Sequence, residues 1–119
     1  MSFTQMRHIK LWYAGQAENW PLARYELDEL QEGFDEVARL QPNDEGVAVA
    51  ALLRELTAQP VQQLSAAIAS QDRVEFDTAF DSLTAACNAC HQASGHGFNV
   101  VRRPTSNPYS DQVFAPPDR

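Results

Sequence analysis

Cys87, Cys90 and His91 are the residues whose types and spacing could do specific chemistry in this chain of 119 residues. They lie in the run Cys87-Asn88-Ala89-Cys90-His91, a C-x-x-C-H pattern. On a helix, residues three and four apart share a face, so two thiols and an imidazole would project together. One flat ligand could then touch all three. Each thiol could close a thioether to a vinyl arm of a macrocycle while the imidazole Nε2 reaches a central iron, which is the pattern of c-type haem attachment. The Nδ1–H of His91 would need a backbone carbonyl or a similar acceptor to fix the tautomer.

Other chemistries fit the residues less well. A redox dithiol normally opens a helix after a strand, whereas the residues before Cys87 read as helical. Zinc could take Cys87, Cys90, His91 and His96, but two adjacent ligands followed by one five residues on make a cramped tetrahedron. Three-apart cysteines on a helix are poorly placed for a disulfide. One covalent haem c is therefore the expected cofactor.

The elements that must position this run are helices. Met6, Ile9, Tyr13 and Ala17 recur at helical spacing, with Leu11 and Trp12 widening the stripe, which predicts a first helix from Thr4 to about Ala17. Asn19-Trp20-Pro21 reads as a break and restart, with Asn19 or Trp20 capping and Pro21 in the first turn. A second helix follows to about Leu40, with Leu22, Tyr25, Leu30, Phe34 and Val37 inward. Gln41-Pro42-Asn43-Asp44-Glu45-Gly46 is a turn. The third helix is expected from Val47 to about Leu56 with Leu53 inward, and Pro60 starts a continuation from Val61 to Ser70. Asp72-Arg73-Val74-Glu75 reads as a capping box that opens the last helix, which carries the C-x-x-C-H run near its end. Gly95-His96-Gly97 stops it.

The expected fold is all-α: a four-helix bundle over residues 1–97 whose first helix is broken near Trp20-Pro21. Residues 98–119 form an extended tail with Pro104, Pro108, Pro116 and Pro117. Its apolar residues, among them Phe98, Val101 and Phe114, favour a strap packed on the bundle. The chain is of single-domain size and shows no repeat. A formal charge of −7 argues against non-specific binding to nucleic acid or to anionic membrane surfaces. A redox partner would present a basic patch. No run has the length of a transmembrane helix, and no apolar stripe demands a dimer, so monomer and homodimer both fit.

With four main helical segments and C-x-x-C-H on the last, the chain from Thr4 to Gly97 resembles the class II c-type cytochromes, the group that includes cytochrome c′. That resemblance implies a haem within the bundle, His91 as the proximal ligand and a first-helix side chain on the distal side. It also implies haem attachment outside the cytoplasm. The first residues lack a charged segment followed by an apolar one, so the chain is read as a mature or trimmed form of a periplasmic protein. The tail after His91 could cover a haem edge that the family leaves open.

The sixth iron position decides between functions, because a strong ligand suits electron transfer and an open site admits a small gas. The first-helix candidates are His8 and Met6. Two residues apart, they point about 200° from each other, so at most one faces the iron. His8 is favoured, with Trp12 and Gly15 on its face; glycine there would let a flat ring approach the helix backbone. Met6 falls in register with the core. Trp12 and Trp20 could flank a macrocycle, Tyr13 and Tyr25 could offer hydroxyls to it, and Arg102 and Arg103 could pair with propionates if the tail folds back. The expected function is single-electron transport between periplasmic partners, without enzymatic turnover. The alternatives are a haem module that binds NO or CO at an open site, and a non-haem zinc bundle.

Overall fold

Asn19 is the point at which the chain turns back. The computed structural model describes residues 2–43 and 46–117; Asp44, Glu45, Asp118 and Arg119 of the predicted turn and tail lie outside the described residues. Helix α1 covers Ser2–Gln16 and helix α2 covers Trp20–Leu40. Between them Glu18 takes the left-handed region at φ 54°, and the Asn19 side chain accepts from the Leu22 N–H at 3.3 Å. Pro21 sits in the first turn of α2, where its missing N–H is one no helix would use. The expected break is thus a full reversal. The helices expected on either side of the break prove to be antiparallel, with Arg7 bonded to Glu26 at 3.0 Å. Glu26 is only 2% exposed, so its carboxylate depends on that partner.

Helix α3 runs unbroken over Val49–Ser70, with Pro60 inside it. The expected restart at Pro60 does not occur. The proline removes a single ladder bond, and the helix is held on both sides by buried Leu53, Thr57, Val61 and Leu64. Gln71, left-handed at φ 56°, ends it. Helix α4, Arg73–Ala93, starts with the Asp72 carboxylate accepting from the Glu75 N–H at 3.0 Å. Only this half of the expected capping box forms, because the Asp72 N–H is already bonded to the Ala67 carbonyl at 3.0 Å.

The four helices pack in sequence order, and α4 closes back on α1. Arg24 on α2 bonds Ser65 on α3 at 3.0 Å, and Gln16 on α1 bonds Asp77 on α4 at 2.7 Å, so neighbours are antiparallel throughout. The result is an all-helical, up-and-down four-helix bundle with no strand among the described residues. No helix is long and apolar enough to cross a membrane among the described residues. Leu11, Leu27, Leu30, Leu64, Phe76, Phe80 and Leu83 are essentially sealed from solvent. The α1–α4 seam is the thinnest of the four, and aromatic rings fill it: Trp12 lies 4.9 Å from Phe80, and Phe76 stacks on Phe80 at 6.2 Å.

Beyond Gly95, at φ 82°, residues 98–117 contain no helix and run back along the bundle. Asn88 exchanges two hydrogen bonds with the Val101 backbone. Arg103 meets Asp81 through two contacts of 2.7 Å and lies over the Trp12 ring at 4.8 Å. Buried Phe114 packs on Tyr13 at 5.8 Å and receives the Asn19 side-chain N–H at 3.0 Å.

The ring that approaches α1 at Gly15 is Phe76: a Cβ at Gly15 would collide with it. Because Phe76 is fully buried, it has nowhere to move. Gly15→Ala is therefore expected to destabilise the fold by about 1–3 kcal/mol in chemical denaturation, overpacking outweighing alanine's better helix propensity.

Candidate functional site

The last turns of α4 carry Cys87, Cys90 and His91 on one face, as their spacing requires. Cys90 is buried, Cys87 and His91 are half-buried, and both thiols are free. All three line a cleft at one end of the bundle that encloses about 610 Å³, part of it open to solvent. The other walls come from every remaining element: Thr4, Gln5 and His8 on α1, Leu30 and Phe34 on α2, Leu53 on α3, and Asn99 and Val101 in the tail.

Each imidazole in the cleft has an assignable tautomer. His91 Nδ1 lies 2.7 Å from the Asn99 carbonyl oxygen. A carbonyl can only accept, so Nδ1 carries a proton, and in the neutral ring the lone pair is therefore on Nε2. His8 Nε2 lies 2.9 Å from Thr84 Oγ1, and the Thr84 hydroxyl donates its single proton to the Phe80 carbonyl at 2.9 Å. The Thr84 oxygen therefore accepts, and His8 Nε2 is the donor. Burial against Phe80, whose ring centre is 4.5 Å away, pushes the His8 pKa down to about 4. His8 is thus a neutral imidazole whose Nε2 is engaged and whose lone pair is on Nδ1.

The thiols are not poised as nucleophiles. Burial, with a smaller contribution from Cys90, pushes the Cys87 thiol up to about 11, and burial raises Cys90 as well. They also sit in the last turns of a helix rather than at the N-terminus that lowers thiol pKa in dithiol oxidoreductases. The surroundings of the pair are those of a packed, protonated dithiol.

No family model, no curated protein and no solved structure matches the chain. The site therefore rests on its own geometry.

Of the residues singled out from the sequence, the fold brings Cys87, Cys90, His91 and His8 into one cleft and leaves the others outside it. Met6 is half-buried on α1 and does not line the cleft, as its angular offset from His8 requires. Trp12 is sandwiched between Phe80 and Arg103 in the α1–α4 seam. Arg103 is held by Asp81, and Arg102 is exposed. Trp20 meets Phe76 edge-on, and Tyr25 lies under Arg7. His96 Nδ1 is 3.3 Å from Ser94 Oγ, and its ring meets Phe98 edge-on.

Sequence reasoning gave no role to Thr84, Asn88 and Asn99. Thr84 lies one turn before Cys87 on the same face of α4, so helical spacing alone could have found it. Asn99 contributes a main-chain carbonyl, for which a side-chain pattern gives no signal.

Proposed function

We propose that the chain is a monohaem c-type cytochrome that carries single electrons between periplasmic redox partners. The observation that carries this reading is the cleft itself, which gathers two free thiols and two imidazoles from α1 and α4 behind largely apolar walls. The residues present fit the group. Cys87 and Cys90 would hold a haem by thioethers, and His91 already has its Nδ1–H on a carbonyl, the state in which Nε2 can ligate. His8 on the facing helix is the candidate for the sixth position. When bound, the haem supplies a one-electron Fe(III)/Fe(II) couple. The resemblance to class II c-type cytochromes supports the same reading, and the net charge of −7 suits a partner with a basic docking patch.

A second reading has its own observation. Thr84 holds His8 Nε2 at 2.9 Å, and if that bond persists with haem in place and keeps Nδ1 from the iron, the distal side is left to an external ligand such as NO or CO. The test is to produce the chain with a haem-attachment system and to record intact mass and spectra. The electron-carrier reading expects one covalent haem and a sharp, low-spin reduced spectrum that His8→Ala converts to high-spin. Rapid CO binding to reduced wild-type protein would favour the gas-binding reading. A mass without haem would end both.

A further inference from the structure

Asn88, one of the two spacer residues inside the C-x-x-C-H run, is tied to the tail at two points. Its Oδ1 accepts from the Val101 N–H at 2.8 Å, and its Nδ2 donates to the Val101 carbonyl at 2.9 Å. The amide thus binds the backbone as a neighbouring strand would, using both its donor and its acceptor on one residue. Two residues earlier, the Asn99 carbonyl takes the His91 Nδ1–H at 2.7 Å. Asn88 and His91 are three apart on α4 and so face the same way. Helix and tail therefore close a ring: Asn88 fixes Val101, Val101 fixes the register of Asn99, and Asn99 fixes the imidazole.

We infer that Asn88 is the positioning residue for His91, acting through the 99–101 segment of the tail. The other nearby tether is the Arg103–Asp81 pair, whose side chains are 48% and 52% exposed. An ion pair so open to water holds geometry weakly. The turn before the segment, Asn99 N–H to His96 carbonyl at 2.9 Å, fixes the approach of Asn99 from one side only. Asn88 provides the partly buried anchor on the other. A ligating imidazole whose Nδ1–H is bonded to a carbonyl is more basic and better oriented than one bonded to water. Loss of the clamp should therefore weaken His91 as a donor to ferric iron.

This inference rests on the haem reading above, and the experiment separates the two. Wild type, Asn88→Ala, Asn88→Asp and Asn107→Ala would be made as full chains with a haem-attachment system. Intact mass shows whether haem is attached, midpoint potential is titrated, and exchange of the His91 Nδ1–H with water is followed by NMR in the reduced state. Asn88→Ala should keep its covalent haem, raise the potential and speed Nδ1–H exchange by tenfold or more. Asn88→Asp, which can accept from Val101 N–H but not donate to its carbonyl, should fall between. Asn107→Ala, which removes a bond within the tail to the Tyr109 N–H, should match wild type. The ring tautomer of His91 in the haem-free full chain is read by nitrogen NMR. Wild type should hold the Nδ1–H form, and Asn88→Ala should lose that preference. If wild type takes no haem, the function reading fails while the tautomer still tests the clamp. An Asn88→Ala protein with wild-type potential, exchange and tautomer would overturn the inference.

Discussion

Phe80→Ala is expected to destabilise the haem-free chain by about 3–5 kcal/mol, read from denaturant midpoints at unchanged slope. Phe80 has no exposed surface and fills the α1–α4 seam, with His8 at 4.5 Å, Trp12 at 4.9 Å and Phe76 at 6.2 Å between ring centres. Truncation removes its transfer free energy and leaves a cavity that these rigid rings cannot close. It also removes the apolar wall of His8. Water in that space should bring the His8 pKa back up toward its usual value, which titration of the ring by NMR would follow. A loss below about 1 kcal/mol would mean that the seam does not depend on this ring.

The second large effect is a fall in stability of the haem-free chain with acid, and it is traceable to one group. His8 titrates near 6.5 when unfolded and at about 4 when folded, because burial disfavours its cation. Above the unfolded value both states are neutral, and the group exerts no pH dependence. As pH falls from about 6.5 to about 4, the unfolded chain takes a proton that the folded chain refuses, so folding is progressively disfavoured. Between pH 7 and pH 4 this amounts to about 3 kcal/mol. Carboxylates contribute their own slope, so the comparison is with His8→Gln, which lacks the titration. Wild type should lose about 3 kcal/mol more than the variant across that range; parallel curves would show that His8 is hydrated when folded.

Much of this architecture could be read from the sequence, and the rest could not for physical reasons. Helix α4 was legible because capping residue, apolar spacing and C-x-x-C-H all agree on one face. The inward positions Leu30, Phe34 and Leu53 were legible from periodicity, and they became cleft walls. The reversal at Ala17–Asn19 was not. Asn19 and Pro21 announce a new helix, but only the left-handed Glu18 shows that the chain turns back, and nothing about a glutamate predicts that conformation. Pro60 misled in the other direction, since a proline's local cost can be absorbed by a helix buried on both sides of it. Gly15 was read as room for a haem ring to approach the backbone of α1, and a side-chain ring fills that space instead. The ring is Phe76, a partner from α4 that sequence spacing on α1 could not name.

The fastening of the tail on α1 has a kinetic consequence. Asn19 and Phe114 are bonded across 95 positions of chain, whereas Asn88 and Val101 are bonded across 13. Loop-closure entropy grows with the length enclosed, so contacts of low sequence separation form first and Phe114 docks late. During synthesis, Tyr13 and Asn19 emerge long before the residue that covers them. That patch of α1, at the opposite end of the bundle from the cleft, stays open to water or to a chaperone until the tail has been made. The Asn88–Val101 clasp sets early, and the far end is latched last.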